Sequence, residues 1–486
     1  MTAVSSVAII LTLAGYVALL FVVAWRASRN VDSHTFFTGG RTTHRAVAAI
    51  AMVGAAMSGV TYISVPGSVA VDSFSYLQTC MGFLVGYIVI AYVLIPLYYR
   101  LGVVSLYEYL DHRFGIVAHR TGAWFFFLSK ILSASLRAYV ICVVLQTLLY
   151  DKYDIPFEVN TLVMMSLVWL YTRRGGVRSV VWVETLKTLI MVSSIVLCIL
   201  FTSNALNISL GEAIAAITDS SYSEVLFFDD PLDRRYFWKQ FIAGIFLVVA
   251  MTGLDQDMMQ TMLSCPTQRD AQRGMMSSIA IQIVVITLFL ALGALLYLFT
   301  DSRGVTITRG DDLFGYVATQ CGLPMVVGIA FLLGLVASTY SSAGSALTAL
   351  TTSFTLDILG ARRCDNDTTA LEKSRLRVHT LIAAAMALVI ITFNRWSTAG
   401  AITLIFTMAS YTYGPLLGLF IFGLATRRMP RGRAIPIIAI LAPVASYIIA
   451  SNSEAWLAGY QFSYDILILN TAITLIGLWL TSRKPA

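Results

Sequence analysis

Ala56-Met57-Ser58-Gly59-Val60 and Ala250-Met251-Thr252-Gly253-Leu254 are one pentapeptide pattern met twice, 194 residues apart. Each lies inside an apolar run and sets a hydroxyl and a glycine where a membrane helix is normally apolar throughout. Glycine weakens a helix interior, and a hydroxyl offers the backbone an alternative partner. Backbone amides and carbonyls freed at that depth have no water to turn to. They must face protein, a wet cavity or a bound ion. Matched interruptions in two halves of a chain are the pattern of a transporter's binding site. Chance repetition in a chain rich in Ala, Gly and Met is the bland alternative.

The rest of the chain fits a membrane setting. Of its 486 residues 58% are hydrophobic and 12% charged, and the mean hydropathy is +0.78. A helix needs roughly 20 apolar residues to cross a bilayer. Thirteen runs qualify: 5–26, 46–70, 77–99, 121–150, 156–172, 179–203, 238–263, 274–299, 323–357, 376–394, 397–425, 434–451 and 463–482. The expected fold is therefore all-α and polytopic. One extra N-terminal span, 5–26, precedes a first repeat at 46–203 and a second at 238–425, and two spans follow at 434–482. The echoed pentapeptides sit in the first span of each repeat, as a five-plus-five inverted repeat with broken leading helices requires. The connections leave no room for a soluble domain, and 1–486 reads as a single transmembrane unit.

The net charge of +7 points to lipid rather than nucleic acid. Assigned to alternate sides gap by gap, 23 of the 33 basic residues fall on one side and 7 on the other. Lys130, Arg137 and Lys187 remain inside spans. The positive-inside rule puts the N-terminus outside and the C-terminus in the cytoplasm, in a plasma or inner membrane. Met1 to Val7 carries no basic side chain, so residues 5–26 read as a retained span and not as a signal peptide. Six cysteines without paired spacing and five scattered histidines give neither a disulfide framework nor a zinc motif.

Ser338, Ser341, Ser342 and Ser345 fall at i, i+3, i+4 and i+7, one face of a helix. Such a stripe lets helices pack closely and hydrogen-bond across the contact. It also presents neutral oxygens, which a hard cation prefers. The break between Gly54 and Gly59 would add backbone carbonyls to the same set.

These features sit within a wider resemblance. Phe36-Phe37-Thr38-Gly39-Gly40-Arg41, Ser105-Leu106-Tyr107-Glu108-Tyr109-Leu110 with Arg113-Phe114, and Gly175-Gly176-Val177 with Val180-Val181-Trp182 resemble motifs of the sodium:solute symporter family. Asp255-Gln256 with Gln260, and Ala337 to Ser345 followed by Phe354-Thr355-Leu356-Asp357-Ile358, continue the likeness in order along essentially the whole chain. The resemblance implies sodium-coupled symport of a small organic solute by alternating access. It implies a sodium site built from the carbonyls of Gly54, Met57 and Ser338 and the hydroxyls of Ser341 and Ser342. Some members bind a second sodium. Here Glu184 stands where Asp is expected and Gly344 where a serine is, while Ser345 is kept, so that set is incomplete and one sodium per cycle is expected.

Solute contacts are expected from Ser58, Thr61, Gln78 and Arg137, and gates from Tyr62, Phe246, Phe406 and Tyr411. Arg137 is an intramembrane charge, which is costly unless it has a function or a partner. With Lys130 on the same span it argues for an anionic solute such as a carboxylate or a sialic-acid-like acid. Should Glu184 pair with Arg137 instead, a sugar or polyol fits as well. Lys187, three residues from Glu184, is the competing partner. Proton coupling through Glu184 is the nearest alternative within transporters. A membrane-embedded enzyme would need a catalytic set, and the only close acid pair near a span end, Asp255 and Asp257, reads as capping or solvated. A substrate-sensing receptor would carry a signalling domain, and few residues follow the last span.

Overall fold

The computed structural model describes residues 6–29, 33–360, 368–396, 401–457, 460, 462 and 464–483. Apolar runs with no water around them close their hydrogen bonds internally, and the chain is helical almost throughout. Its helices are α1 (Ser6–Ala27), α2 (Ser33–Thr38), α3 (Arg45–Ala56), α4 (Gly59–Asp72), α5 (Tyr76–Val89), α6 (Ile95–Leu101), α7 (Glu108–Phe114), α8 (Ile116–Leu148), α9 (Phe157–Ala205) and α10 (Leu210–Thr218). They continue as α11 (Phe237–Val248), α12 (Gln256–Leu263), α13 (Gln268–Ser302), α14 (Gly310–Gln320), α15 (Met325–Ser353), α16 (Thr368–Trp396), α17 (Ala401–Ala425), α18 (Ala434–Ser451), α19 (Ser453–Trp456) and α20 (Ile466–Thr481). Two residues on each side, Met429–Pro430 and Ser482–Arg483, form an antiparallel pair that ties the α17–α18 connection to the end of α20.

Among the described residues eight helices are long and apolar enough to cross a membrane, and ten if each of two bent pairs counts as one span. Two further apolar helices, Ala409–Ala425 and Ile466–Thr481, are shorter. The runs 156–172 and 179–203 share the single 49-residue α9. Gly176 divides it, with φ 52° and ψ −145°, a backbone region that only glycine enters readily. A side chain there would also strike the Phe36 carbonyl and ring. The motif glycine thus makes the bend and seats α2 in it.

The two bent pairs carry the echoed pentapeptides. α3 and α4 meet at 64° and α11 and α12 at 69°. The first break falls within its pentapeptide, with Met57 (φ −107°, ψ 128°) and Ser58 (φ −115°, ψ 176°) extended. Met57 N still donates to Gly54 O at 3.1 Å, and Ser58 N donates to Thr61 Oγ1 at 3.3 Å. The second break falls just past its pentapeptide. Residues Val249–Gly253 form a widened turn, and Asp255 restarts the helix by accepting from Asp257 N at 2.9 Å. An aspartate N-cap is a strong restart signal, and it moves the break three residues on.

The freed carbonyls of the second break are closed by tyrosines: Tyr98 Oη donates to Gly253 O and Tyr107 Oη to Leu254 O, both at 3.0 Å. The loop before α7 is pinned to the same place. Gln256 accepts from Leu106 N at 3.0 Å and donates to Val104 O at 2.9 Å. Ser105 Oγ and Ser353 Oγ donate to Asp357 Oδ2 at 2.7 and 2.8 Å, and His119 Nε2 lies 3.0 Å from Asp357 Oδ1. α15 runs through the middle of the molecule, packed along α9 and against α8, α4 and α16.

Gly176→Ala should lower the melting temperature of the detergent-solubilised protein, at a cost of about 1–3 kcal/mol for the forced backbone conformation. Gly15→Ala, where a Cβ meets nothing within 4 Å, is the control. Fluorescence-detected size exclusion after heating reads both. Equal midpoints would remove the structural role given to Gly176.

Candidate functional site

The serine face of α15 is buried: Ser338 and Ser341 are 0% and 1% exposed, Ser342 and Ser345 7% and 2%. Serines in a helix turn their protons onto the preceding turn. Ser338 Oγ donates to Leu335 O at 2.8 Å, Ser342 Oγ to Ser338 O at 2.8 Å and Ser345 Oγ to Ser342 O at 3.1 Å. Their oxygens are thereby left as acceptors. The break between α3 and α4 faces this stripe. Gly59 has no side chain, and a Cβ there would lie 3.4 Å from Ser338 Oγ. At Gly54 a Cβ would lie 2.6 Å from Glu184 O and 2.9 Å from Glu184 Oε2, so α9 presses Glu184 onto the end of α3. Gly54, Met57, Ser338, Ser341 and Ser342 are in this way gathered at one junction of α3, α9 and α15.

Two buried oxygens at that junction lack a hydrogen-bond partner among the described residues. Ser341 lies beside the Glu184 carboxylate, yet neither Ser341 Oγ nor Glu184 Oε1 reaches hydrogen-bond geometry with any described atom. An orphaned acceptor in a dry interior is costly, and a sodium ion among hydroxyls and carbonyls is the kind of group that satisfies it.

The buried charges pair in an arrangement that corrects two sequence readings. Lys130 is no surplus charge beside Arg137: its Nζ lies 3.1 Å from Asp255 Oδ2 and 2.7 Å from Asp257 Oδ2. Asp255 and Asp257 are not solvated, being 2% and 3% exposed. Asp255 does cap α12, and it also accepts from Tyr413 Oη at 2.5 Å. Ser345 Oγ, a candidate for the second sodium, lies 3.3 Å from Asp257 Oδ2 and shares its one proton between that oxygen and Ser342 O. Glu184 pairs with Lys187, Oε2 to Nζ at 3.1 Å, and not with Arg137.

A cavity of about 640 Å³ opens beside the first break. Ser58, Thr61 and Arg137 line it, as the sequence suggests, and so do Ser64, Ser68, Gln240, Met251, Thr252 and Gln282. Arg137 is half-buried there and has no hydrogen bond or ion pair among the described residues. Asp72 and Arg234, paired at 2.5 Å, stand at the rim. Thr252 is the hydroxyl of the second pentapeptide and answers Ser58 of the first, so the echo itself marked it. Ser64 and Ser68 continue the Thr61 face at helical spacing.

Other candidates lie elsewhere. Gln78 is fully buried outside the cavity, donating to Arg235 O at 2.8 Å and accepting from Phe227 N at 3.1 Å. It anchors the 224–237 connection. Tyr62 is no gate in this arrangement: it donates to or accepts from Ser194 Oγ at 2.8 Å and packs among Phe289, Phe314 and Phe331. Phe246 joins the apolar core while Leu247, Val248 and Met251 carry the cavity face of its helix. Tyr411 packs edge-on to Tyr447. The side chain of Phe406 lies outside the described residues.

The chain is 23% identical to the human sodium/iodide cotransporter, an alignment that covers 81% of this chain and 61% of that one. It is 24% identical to human sodium-coupled monocarboxylate transporter 2, covering 82% and 65%. It thus spans less than two thirds of the length of these relatives. With the sodium/sialic acid symporter SiaT of Proteus mirabilis the identity is 23%, over 94% of this chain and 92% of that one. The fold matches a substrate-bound, outward-open Na+-coupled sialic acid symporter with a TM-score of 0.82 at 17% identity, over 98% and 97% of the two chains. Residues 36–438 match the sequence profile of the sodium:solute symporter family, and the chain belongs to that family.

Proposed function

We propose that this protein is a sodium-coupled symporter that imports a small organic anion, a carboxylate above all, by alternating access. The observation that carries the reading is Arg137, which lines a polar cavity beside a broken helix without an ion pair among the described residues, in a lining that also holds Arg234, Arg309, Asp72 and Asp311. Lys187 pairs with Glu184, Lys130 lies between both aspartates, and Arg137 has no hydrogen bond or ion pair among the described residues. A solute carboxylate is then the natural counter-charge, since an unpaired charge at membrane depth is costly. Relatives named for iodide, monocarboxylates and sialic acid support the class. A sugar or polyol is the second reading, favoured by the lining of Ser58, Thr61, Ser64, Ser68, Gln240 and Gln282.

The sodium would sit between Gly54 and Met57 of the broken span and Ser338, Ser341 and Ser342, drawn in by the membrane potential at about 2.3 kcal/mol per charge per 100 mV. With Glu184 held by Lys187 and Ser345 turned toward Asp257, one sodium per cycle is the expected stoichiometry. The architecture behind the reading has thirteen spans. A five-plus-five inverted repeat, 46–203 and 238–425, rocks around the break, with the N-terminus outside and the C-terminus in the cytoplasm. Transport is favoured over membrane catalysis because the close acid pair near a span end, Asp255 and Asp257, is engaged by a buried lysine.

Ser341→Ala and Ser342→Ala should each raise the sodium concentration for half-maximal uptake in proteoliposomes about tenfold, the loss of one ligand in five at about 1.4 kcal/mol. Unchanged sodium dependence in the double variant would remove the site. Reversal potentials count the coupled charges, and two sodium ions per solute would overturn the stoichiometry.

Arg137→Gln should weaken a carboxylate solute by about 10–100-fold, the worth of a charge-assisted hydrogen bond at about 1.5–3 kcal/mol, while sodium binding remains. A screen of acids, sugars and polyols by sodium-dependent thermal shift reads it. Stabilisation by neutral solutes alone would replace the anionic reading with the polyol one.

A further inference from the structure

A second hollow, of about 550 Å³, opens where the starts of α3 and α13 meet the junction of α5 with α6. Arg45, Arg269 and Arg273 line it, and no acidic residue does. All three are exposed, and none makes a hydrogen bond or ion pair among the described residues. The neighbouring Asp270 lies outside the lining, where its carboxylate accepts from Thr267 Oγ1 at 2.6 Å at the α13 cap.

The arginines stand against the local electrostatics. Arg45 is the first residue of α3 and Arg269 the second of α13. A helix N-terminus is itself positive and favours anions, not cations. Arg273 follows Arg269 by four residues on the same face, where like charges repel. The two helix ends are held close. A Cβ on Gly274 would lie 3.3 Å from Arg45 O, so the start of α3 rests on a residue with no side chain.

The third wall is fixed by a spare carbonyl. Residues Ile90–Leu94 form a widened turn in which Ile95 N donates to Ile90 O, and Pro96 has no N–H to give Ala91 O. Gln272 Nε2 donates to Ala91 O instead, at 2.9 Å. Gln272 lies between Arg269 and Arg273 in the chain, so this bond sets the arginines beside Tyr92, which also lines the hollow.

Away from the arginines the hollow runs into an apolar groove. Ser277, Ala280 and Val284 continue the Arg273 face of α13 at helical spacing and are exposed. On the adjacent α5 and its widened turn, Ile88 and Tyr92 are 43% and 62% exposed. Along α13 the order is charge, small residues, then aliphatic surface, which is the order of groups in a phospholipid.

We propose that this hollow binds an anionic phospholipid. Its phosphate lies among the three guanidiniums, which can pair with phosphate oxygens two bonds at a time. Tyr92 stands at the headgroup level, as tyrosines at membrane interfaces do. An acyl chain follows Ser277, Ala280 and Val284. A soluble phosphate would meet the arginines and leave that groove uncovered. The bound lipid ties the first half of the broken span to α13.

Thermal shift and native mass spectrometry of the delipidated full chain in neutral detergent test this. The probes are phosphatidylglycerol, phosphatidylcholine with the same acyl chains, and glycerol 3-phosphate. Phosphatidylglycerol should bind one per protein and raise the melting temperature at concentrations where the other two do neither. Arg269→Gln with Arg273→Gln should weaken it about 30-fold. Arg427→Gln with Arg431→Gln, which removes equal charge from exposed positions elsewhere, should leave it unchanged. Should the first pair not fold, Ala280→Trp, which fills the groove and leaves the arginines in place, should weaken phosphatidylglycerol as well. Equal binding of the two lipids, or an equal loss in the control pair, overturns the site. Glycerol 3-phosphate that binds as tightly as phosphatidylglycerol overturns the lipid in favour of a soluble phosphate.

Discussion

A helix broken at membrane depth releases amides and carbonyls that lipid cannot satisfy, and this molecule is arranged around two such breaks. They are closed in different ways. The second is sealed by side chains: Tyr98 and Tyr107 cover Gly253 O and Leu254 O, Asp255 caps the restart, and Gln256 stitches it to the loop at Val104 to Leu106. The first keeps Ser58 and Thr61 open to a cavity on one side and meets hydroxyls and a carboxylate on the other. Sealed and open breaks divide the labour. One closes a face of the protein, and the other is free to receive an ion and a solute.

Buried charge follows the same division. Around the sealed break a lysine and two aspartates form a cluster that also holds Tyr413 and Ser345, joining α8, α12, α15 and α17. Removing one partner from such a cluster leaves an uncompensated charge, so its value lies in fixing how these helices sit rather than in net stability. Beside the open break, Glu184 and Lys187 pair within one helix, and Arg137 has no partner among the described residues.

What was legible in the sequence had local spacing behind it. The two breaks, the serine face and the Glu184–Lys187 contact are all i to i+7 patterns, and helical periodicity fixes which side chains share a face. Gly176 was legible as a motif, though not as the bend within one continuous helix. The Lys130 cluster was not legible, because its partners lie 125 and 127 residues away and nothing local couples them. The surroundings of the expected aromatic gates were not legible for a related reason. A tyrosine inside a span serves packing as readily as gating, and only its neighbours decide. Tyr62 is ringed by phenylalanines from three other helices. Gln78 looked like a solute contact because amides in spans are few, yet its amide meets two backbone groups of a connection about 150 residues on.

The contacts around the second break and the 104–106 loop are polar. Opening the face opposite the cavity means parting the Asp357 contacts with Ser105 and His119, the Gln256 bonds to the 104–106 backbone, and the two tyrosine caps. Each such bond contributes about 0.5–1.5 kcal/mol net, and each is replaceable by water once the face is wet. Aromatic rings would have to leave an apolar contact with nothing in exchange. A hydrogen-bonded closure can instead be traded bond for bond with solvent, and that keeps two arrangements of the same helices close enough in free energy for the ion and the solute to choose between them.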